Sequence, residues 1–101
     1  MLVYEKKRST VTIKLSGELD HRYVELIRAE LDALVSDPGV KRLVFDMGRL
    51  SFMDSSGIGM IIGRYKQMAR RGGKVAVRCE NRRIDTIFEM AGLYQIIDKL
   101  A

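Results

Sequence analysis

At 101 residues, 47% of them hydrophobic and 31% charged, with a single proline, the chain fits one ordered domain over residues 1–101 and excludes a disordered tail. Its one cysteine, Cys79, excludes an internal disulfide; with no secretory leader and no apolar run of membrane-span length, a cytoplasmic protein without membrane contact is expected. The formal charge of +5 permits an acidic partner, but Lys6-Lys7-Arg8, Arg70-Arg71 and Arg82-Arg83 are small scattered groups without interleaved aromatics, which argues against direct nucleic-acid binding.

Residues 2–6 and 11–15 predict two strands joined by a hairpin at Lys7-Arg8-Ser9. In the second, Val11, Ile13 and Leu15 alternate with Thr12 and Lys14, so one face is buried and the other wet. Gly17-Glu18-Leu19-Asp20 breaks that alternation, and Asp20 is placed to cap the next segment. From 21 to 36, Val24, Ile27, Leu31, Leu34 and Val35 recur every three or four residues, which predicts an amphipathic helix; Asp37-Pro38-Gly39 stops it.

Leu43-Val44-Phe45 with Met47 reads as an interior strand, followed by a loop over 48–57 that Leu50 and Phe52 would pin to the core. A second helix is expected from about 56 to 71, with Ile58, Ile61, Ile62, Tyr65, Met68 and Ala69 on one stripe. Gly72-Gly73 supplies its left-handed stop. Gly59 and Gly63 inside it each cost about 1 kcal/mol relative to alanine, so close approach of a sheet or a partner is expected to offset them. Residues 74–79 predict a strand and 82–90 a third helix, while 94–97 are a strand or a helical turn. The class is α/β: a mixed sheet of four or five strands with helices packed against it, in the order β-β-α-β-α-β-α and then a short strand or helical element.

The chemistry concentrates in Met53-Asp54-Ser55-Ser56-Gly57-Ile58-Gly59, where carboxylate and hydroxyl oxygens meet the unpaired N–H groups of a helix entrance. A serine there is a cap, a phosphate acceptor or both, and the entrance by itself does not choose between Ser55 and Ser56. Catalysis is a poor reading: His21 is the only base of its kind, and the serines lack the glycine that a nucleophile elbow puts two residues earlier. The glycine spacing fits neither a dinucleotide nor a phosphate loop, and one Cys with one His gives no metal-ligand pattern. Neither a cofactor nor a metal is expected. Asp20, Asp46 and Asp54 are ordinary caps and loop-fixing acceptors; if they converged on Ser55 they would make a phosphate there unwelcome.

Gly17-Glu18-Leu19-Asp20-His21, the run from Leu50 to Gly59, Gly63-Arg64-Tyr65-Lys66-Gln67 and Met90-Ala91-Gly92-Leu93 together resemble the bacterial anti-sigma factor antagonists of the STAS domain family, especially its sporulation members. The resemblance covers essentially the whole chain, and it implies a mixed sheet flanked by helices and no enzymatic activity. It further implies that the unmodified protein binds a nucleotide-bound anti-sigma factor that is also a serine kinase, that phosphorylation breaks this complex, and that a metal-dependent serine phosphatase resets the cycle. By position the acceptor falls on Ser55, and the partner surface on Asp20, His21, Asp54, Ser55, Ser56, Gly57, Ile58, Met60 and Arg64. A competing expectation gives the same fold to an accessory subunit of a membrane transporter, with the serine hydroxyl serving as a helix cap.

Overall fold

A computed structural model describes residues 2–101. Strand β1 (Leu2–Lys7) turns at Arg8-Ser9 into β2 (Thr10–Leu19), and α1 (His21–Ser36) follows. Strand β3 (Arg42–Met53), helix α2 (Ser55–Ala69), strand β4 (Lys74–Arg78) and helix α3 (Arg82–Met90) come next. A 3-10 turn at Leu93–Gln95 then leads to β5 (Asp98–Leu100). The five strands lie in chain order, β1 antiparallel to β2 and every later pair parallel. Each strand-helix-strand step moves one place in the same direction, so right-handed crossovers carry all three helices to one face of the sheet.

Burial agrees with that geometry. Val11, Ile13 and Leu15 of β2, Leu43, Phe45 and Met47 of β3, and Val75 and Val77 of β4 point into one apolar cluster with Ile27, Leu31, Ile61, Met68, Ile84 and Phe88 of the helices. Thr12, Lys14 and Asp46, one residue out of step, face away from it. Among the described residues no helix is long and apolar enough to cross a membrane.

Two boundaries differ from the sequence reading, and they differ together. The segments 17–20 and 48–53, expected as a break and a loop, extend β2 and β3 as paired strands as far as Leu19 opposite Met53. The alternation is lost because the register shifts between Lys14 and Ser16 and again between Gly17 and Glu18. Bulges of this kind put an extra residue into one strand and reverse the in-out pattern beyond them; Gly17 takes φ +87° there. Leu50, at 2% exposure, does pin the segment, but Phe52 is 46% exposed and Met53 is the second anchor. The undecided stretch near the end is helical first, at Leu93–Gln95, and a strand only from Asp98.

Candidate switch site at two helix entrances

The extension of β2 and β3 brings two helix N-termini side by side. Both strands end at the same edge, Leu19 beside Met53, and the N–H of Asp54 donates to the Leu19 carbonyl at 3.4 Å. Asp20 and Asp54 are therefore neighbours in the fold, each capping its own helix: Tyr23 N–H donates to Asp20 Oδ1 at 2.9 Å, and Ser56 N–H to Asp54 Oδ1 at 2.8 Å. Asp54 thus fills the cap position of α2 that a serine was expected to share. Ser55 is the first helical residue, it is exposed, and among the described residues its hydroxyl has no hydrogen-bond partner. Asp46 does not join this group: it lies mid-strand on the opposite face, where it accepts from Gly48 N–H at 3.1 Å.

The glycines have separate duties. A Cβ on Gly57 would come within 2.6 Å of Met53 Cγ and 3.0 Å of Leu19 Cδ2, so glycine is what lets α2 sit down on the strand ends. At Gly59 and Gly63 a Cβ would meet nothing within 4 Å, so of the two approaches expected to offset them, by a sheet or by a partner, that of the sheet is made at Gly57 instead.

Successive residues at the start of a helix point about 100° apart, and Ser55 and Ser56 accordingly open on different surfaces. Ser56, half-buried, lines a groove between α1 and α2 with His21, Arg28, Gly59 and Arg64, floored by Val24 and Met60. Met60 is 4% exposed and offers the groove only its edge. Arg64, its side chain 15% exposed, reaches Asp32 at 3.5 Å, and Arg28 is held by Glu25 at 2.6 Å.

Ser55 faces the other way, into a groove lined by Met53, Asp54, Ile58, Ile87, Met90 and Ala91, with no cation among them. Ile87 and Met90, the latter 83% exposed, come from α3, and the sequence reading missed them as site residues. The available signal was an exposed methionine at the end of an otherwise amphipathic helix, which only proximity to Ser55 makes informative. Helix α3 is a firm wall. Asn81 caps it through Arg83 and Ile84 N–H while its Nδ2 donates to Leu50 O at 2.9 Å, tying the helix to the end of β3. At its other end Phe88 meets Tyr94 edge-on, and Asp85 accepts from the Tyr94 hydroxyl at 2.5 Å and from Lys99 at 2.9 Å. Those two hydrogen bonds hold the Asp85 carboxyl below the usual range, and burial together with that carboxylate pushes the Tyr94 phenol up.

A one-sided sheet in consecutive strand order, two capped helix entrances at the ends of adjacent parallel strands and a free serine between them define the class, and the STAS domain pattern matches residues 1–101. The chain belongs to the STAS domain family. Within the family its sequence groups with the anti-sigma factor antagonists: the anti-sigma F factor antagonist of Paenibacillus polymyxa is 37% identical over 93 residues, 92% of this chain and 80% of that protein. The unphosphorylated form of the anti-sigma factor antagonist SpoIIAA superposes with a TM-score of 0.86 at 32% identity, over 100% of this chain and 89% of that one. The phosphorylated form of SpoIIAA, a Bacillus cell fate determinant, superposes at 0.80 with the same identity, over 100% and 92% of the two chains.

Proposed function

We propose that the chain is an anti-sigma factor antagonist whose binding surface is switched by phosphorylation of Ser55. The observation that carries this reading is the Ser55 hydroxyl: exposed, without a hydrogen-bond partner, at a helix entrance whose cap is already supplied by Asp54. A serine with no structural duty on an apolar groove is suited to being a substrate. The unmodified groove of Ile58, Ile87 and Met90 takes an apolar element of the partner, a nucleotide-bound anti-sigma factor with serine kinase activity, and His21, Gly59 and Arg64 extend the contact over the neighbouring groove, with Asp20 at the adjoining helix entrance.

Phosphorylation adds nearly two negative charges and three acceptor oxygens. On Ser55 that charge stands beside the Asp54 carboxylate and apolar side chains, and closing the complex over it would bury it without a cation. The cost is about 3 kcal/mol or more, enough to weaken binding at least about a hundredfold. On Ser56 the same group would meet Arg64, His21 and Arg28. This asymmetry favours Ser55 as the switch, in line with the family resemblance. The protein itself has no catalytic part in the cycle; it is the substrate, and a metal-dependent serine phosphatase removes the phosphate.

The test is to incubate the protein with its partner kinase and ATP and to sequence the Asp54-Ser55-Ser56 peptide by mass spectrometry. One phosphate on Ser55, with release of the kinase, is expected. A phosphate on Ser56, or none under conditions where the kinase modifies another substrate, overturns the reading.

A further inference from the structure

We infer that the helix-free face of the sheet is a second docking surface, for an acidic amphipathic helix of another protein, separate from the Ser55 grooves. The strand registers put three rows on that face. Lys7, Thr10, Arg42 and Lys74 form one outer row, and Val3, Lys14, Asp46, Arg78 and Leu100 form the other, with Arg49 in the concavity shared by Val3, Lys14 and Asp46. Between them run Glu5, Thr12, Val44, Ala76 and Asp98.

The centre of the middle row is small and apolar. Val44 is 3% and Ala76 0% exposed although neither belongs to the helix-side core, so the face is closed over them and presents little apolar surface of its own. The result is a band of short side chains between two rows of longer ones, the charged members of which are basic apart from Asp46. The outer rows are four residues apart along the strands, about 13 Å. A helix is about 10–12 Å across, so it fits between the rows with carboxylates toward Lys7, Arg42 and Lys74 on one flank and toward Lys14, Arg49 and Arg78 on the other.

Charge points the same way. The six cations of the face stand against three carboxylates, Glu5, Asp46 and Asp98, an excess that amounts to more than half of the chain's formal +5. Among the described residues no ion pair holds Lys7, Lys14, Arg42, Arg49 or Lys74, and Arg78 only donates to the Ala101 carbonyl at 3.3 Å. Lys7, Lys14, Arg49 and Lys74 are exposed and Arg42 and Arg78 half-buried, and cations without a carboxylate partner steer an acidic partner and set its orientation more than they set its affinity. The rows carry no aromatic side chain on which bases could stack, which disfavours single-stranded nucleic acid, and Val3 is the only exposed large apolar side chain in them, which disfavours insertion into a lipid surface.

The experiment uses the whole chain and a fluorescent designed helix of about 14 residues, enough to cross the sheet, with an alanine stripe and glutamates on both flanks. Its controls are a scrambled peptide of equal composition, a uridine oligonucleotide, and vesicles of phosphatidylcholine and phosphatidylserine. Saturable binding of the amphipathic helix is expected, with shifts of the Thr12, Val44 and Ala76 amide resonances. The pair Lys14→Glu and Lys74→Glu should weaken it about tenfold, and Ser55→Asp should leave it unchanged. If circular dichroism finds the charge-reversed pair unfolded, Lys14→Gln with Lys74→Gln takes its place, with about a threefold loss expected. The inference is overturned by no binding, by equal binding of the scrambled peptide, by indifference to both pairs, or by tighter binding of the oligonucleotide or vesicles. Because Ser55→Asp is read separately, failure here and failure of the phosphorylation switch are distinct results.

Discussion

The two sides of the α2 entrance share a backbone and one cap, yet they are chemically opposite. On the Ser56 side α1 lends His21 and Arg28, and α2 itself lends Arg64; on the Ser55 side α3 lends Ile87 and Met90. A negative charge added on the first side meets counter-charges, and on the second it meets methionine, isoleucine and a carboxylate. Two adjacent serines of identical chemistry thus acquire different consequences from what the sheet sets beside them.

The comparison breaks most sharply under charge substitution. Ser55→Asp should weaken partner binding about a hundredfold and Ser56→Asp about tenfold or less, both read by titration calorimetry. Equal losses would mean that the grooves do not differ in the complex. Thermal stability of Ser55→Asp should stay within a few degrees, because the residue is exposed and the cap is not its own.

Met90→Lys should cost roughly tenfold in affinity with an unchanged melting temperature, since the side chain is 83% exposed in the free protein. A melting temperature that fell with it would make Met90 part of the fold rather than of a docking groove.

The next effect is on stability. Asp54→Ala removes a cap that serves both sides and should cost about 1 kcal/mol, seen as a lower urea midpoint at unchanged slope. Gly59→Ala should move the other way: with nothing within 4 Å of the added methyl, the helix gains up to about 1 kcal/mol. The same methyl narrows the Ser56-side groove, so a stabilised variant with weaker partner binding is expected. A variant stabilised with binding intact would remove Gly59 from the interface.

The smallest effect concerns the wall of the Ser55 groove. The Asp85 carboxyl is held low by its hydrogen bonds from Tyr94 and Lys99, so the folded state binds that proton less readily than the unfolded one. The stability this contributes is present above the ordinary carboxylate range and is lost as pH falls through the lowered value. Asp85→Asn should therefore flatten the acid limb of the unfolding midpoint plotted against pH; an unchanged limb would show that the pair is screened out by solvent.

Much of this was legible in the chain. The periodicity over 21–36 and 82–90 gave both helices to the residue, the Gly72 stop stands at φ +75°, and Asp20 caps as its position suggested. Local signals of this kind depend on a residue and its near neighbours, which the order of the sequence contains. The extension of β2 and β3 was illegible, because a bulge cancels the alternation by which a strand is recognised and only pairing with the adjacent strand reveals it.

The sequence by itself determined that this protein is a mixed α/β domain and singled out Asp54-Ser55-Ser56-Gly57 as its candidate site. Tertiary structure alone decided which serine faces which groove, that Gly57 rather than Gly59 or Gly63 meets the strand ends, and that Ile87 and Met90 stand beside Ser55. Those depend on side chains about thirty residues apart meeting across the end of a sheet, and helical phase fixes a residue's direction without saying what it will find there.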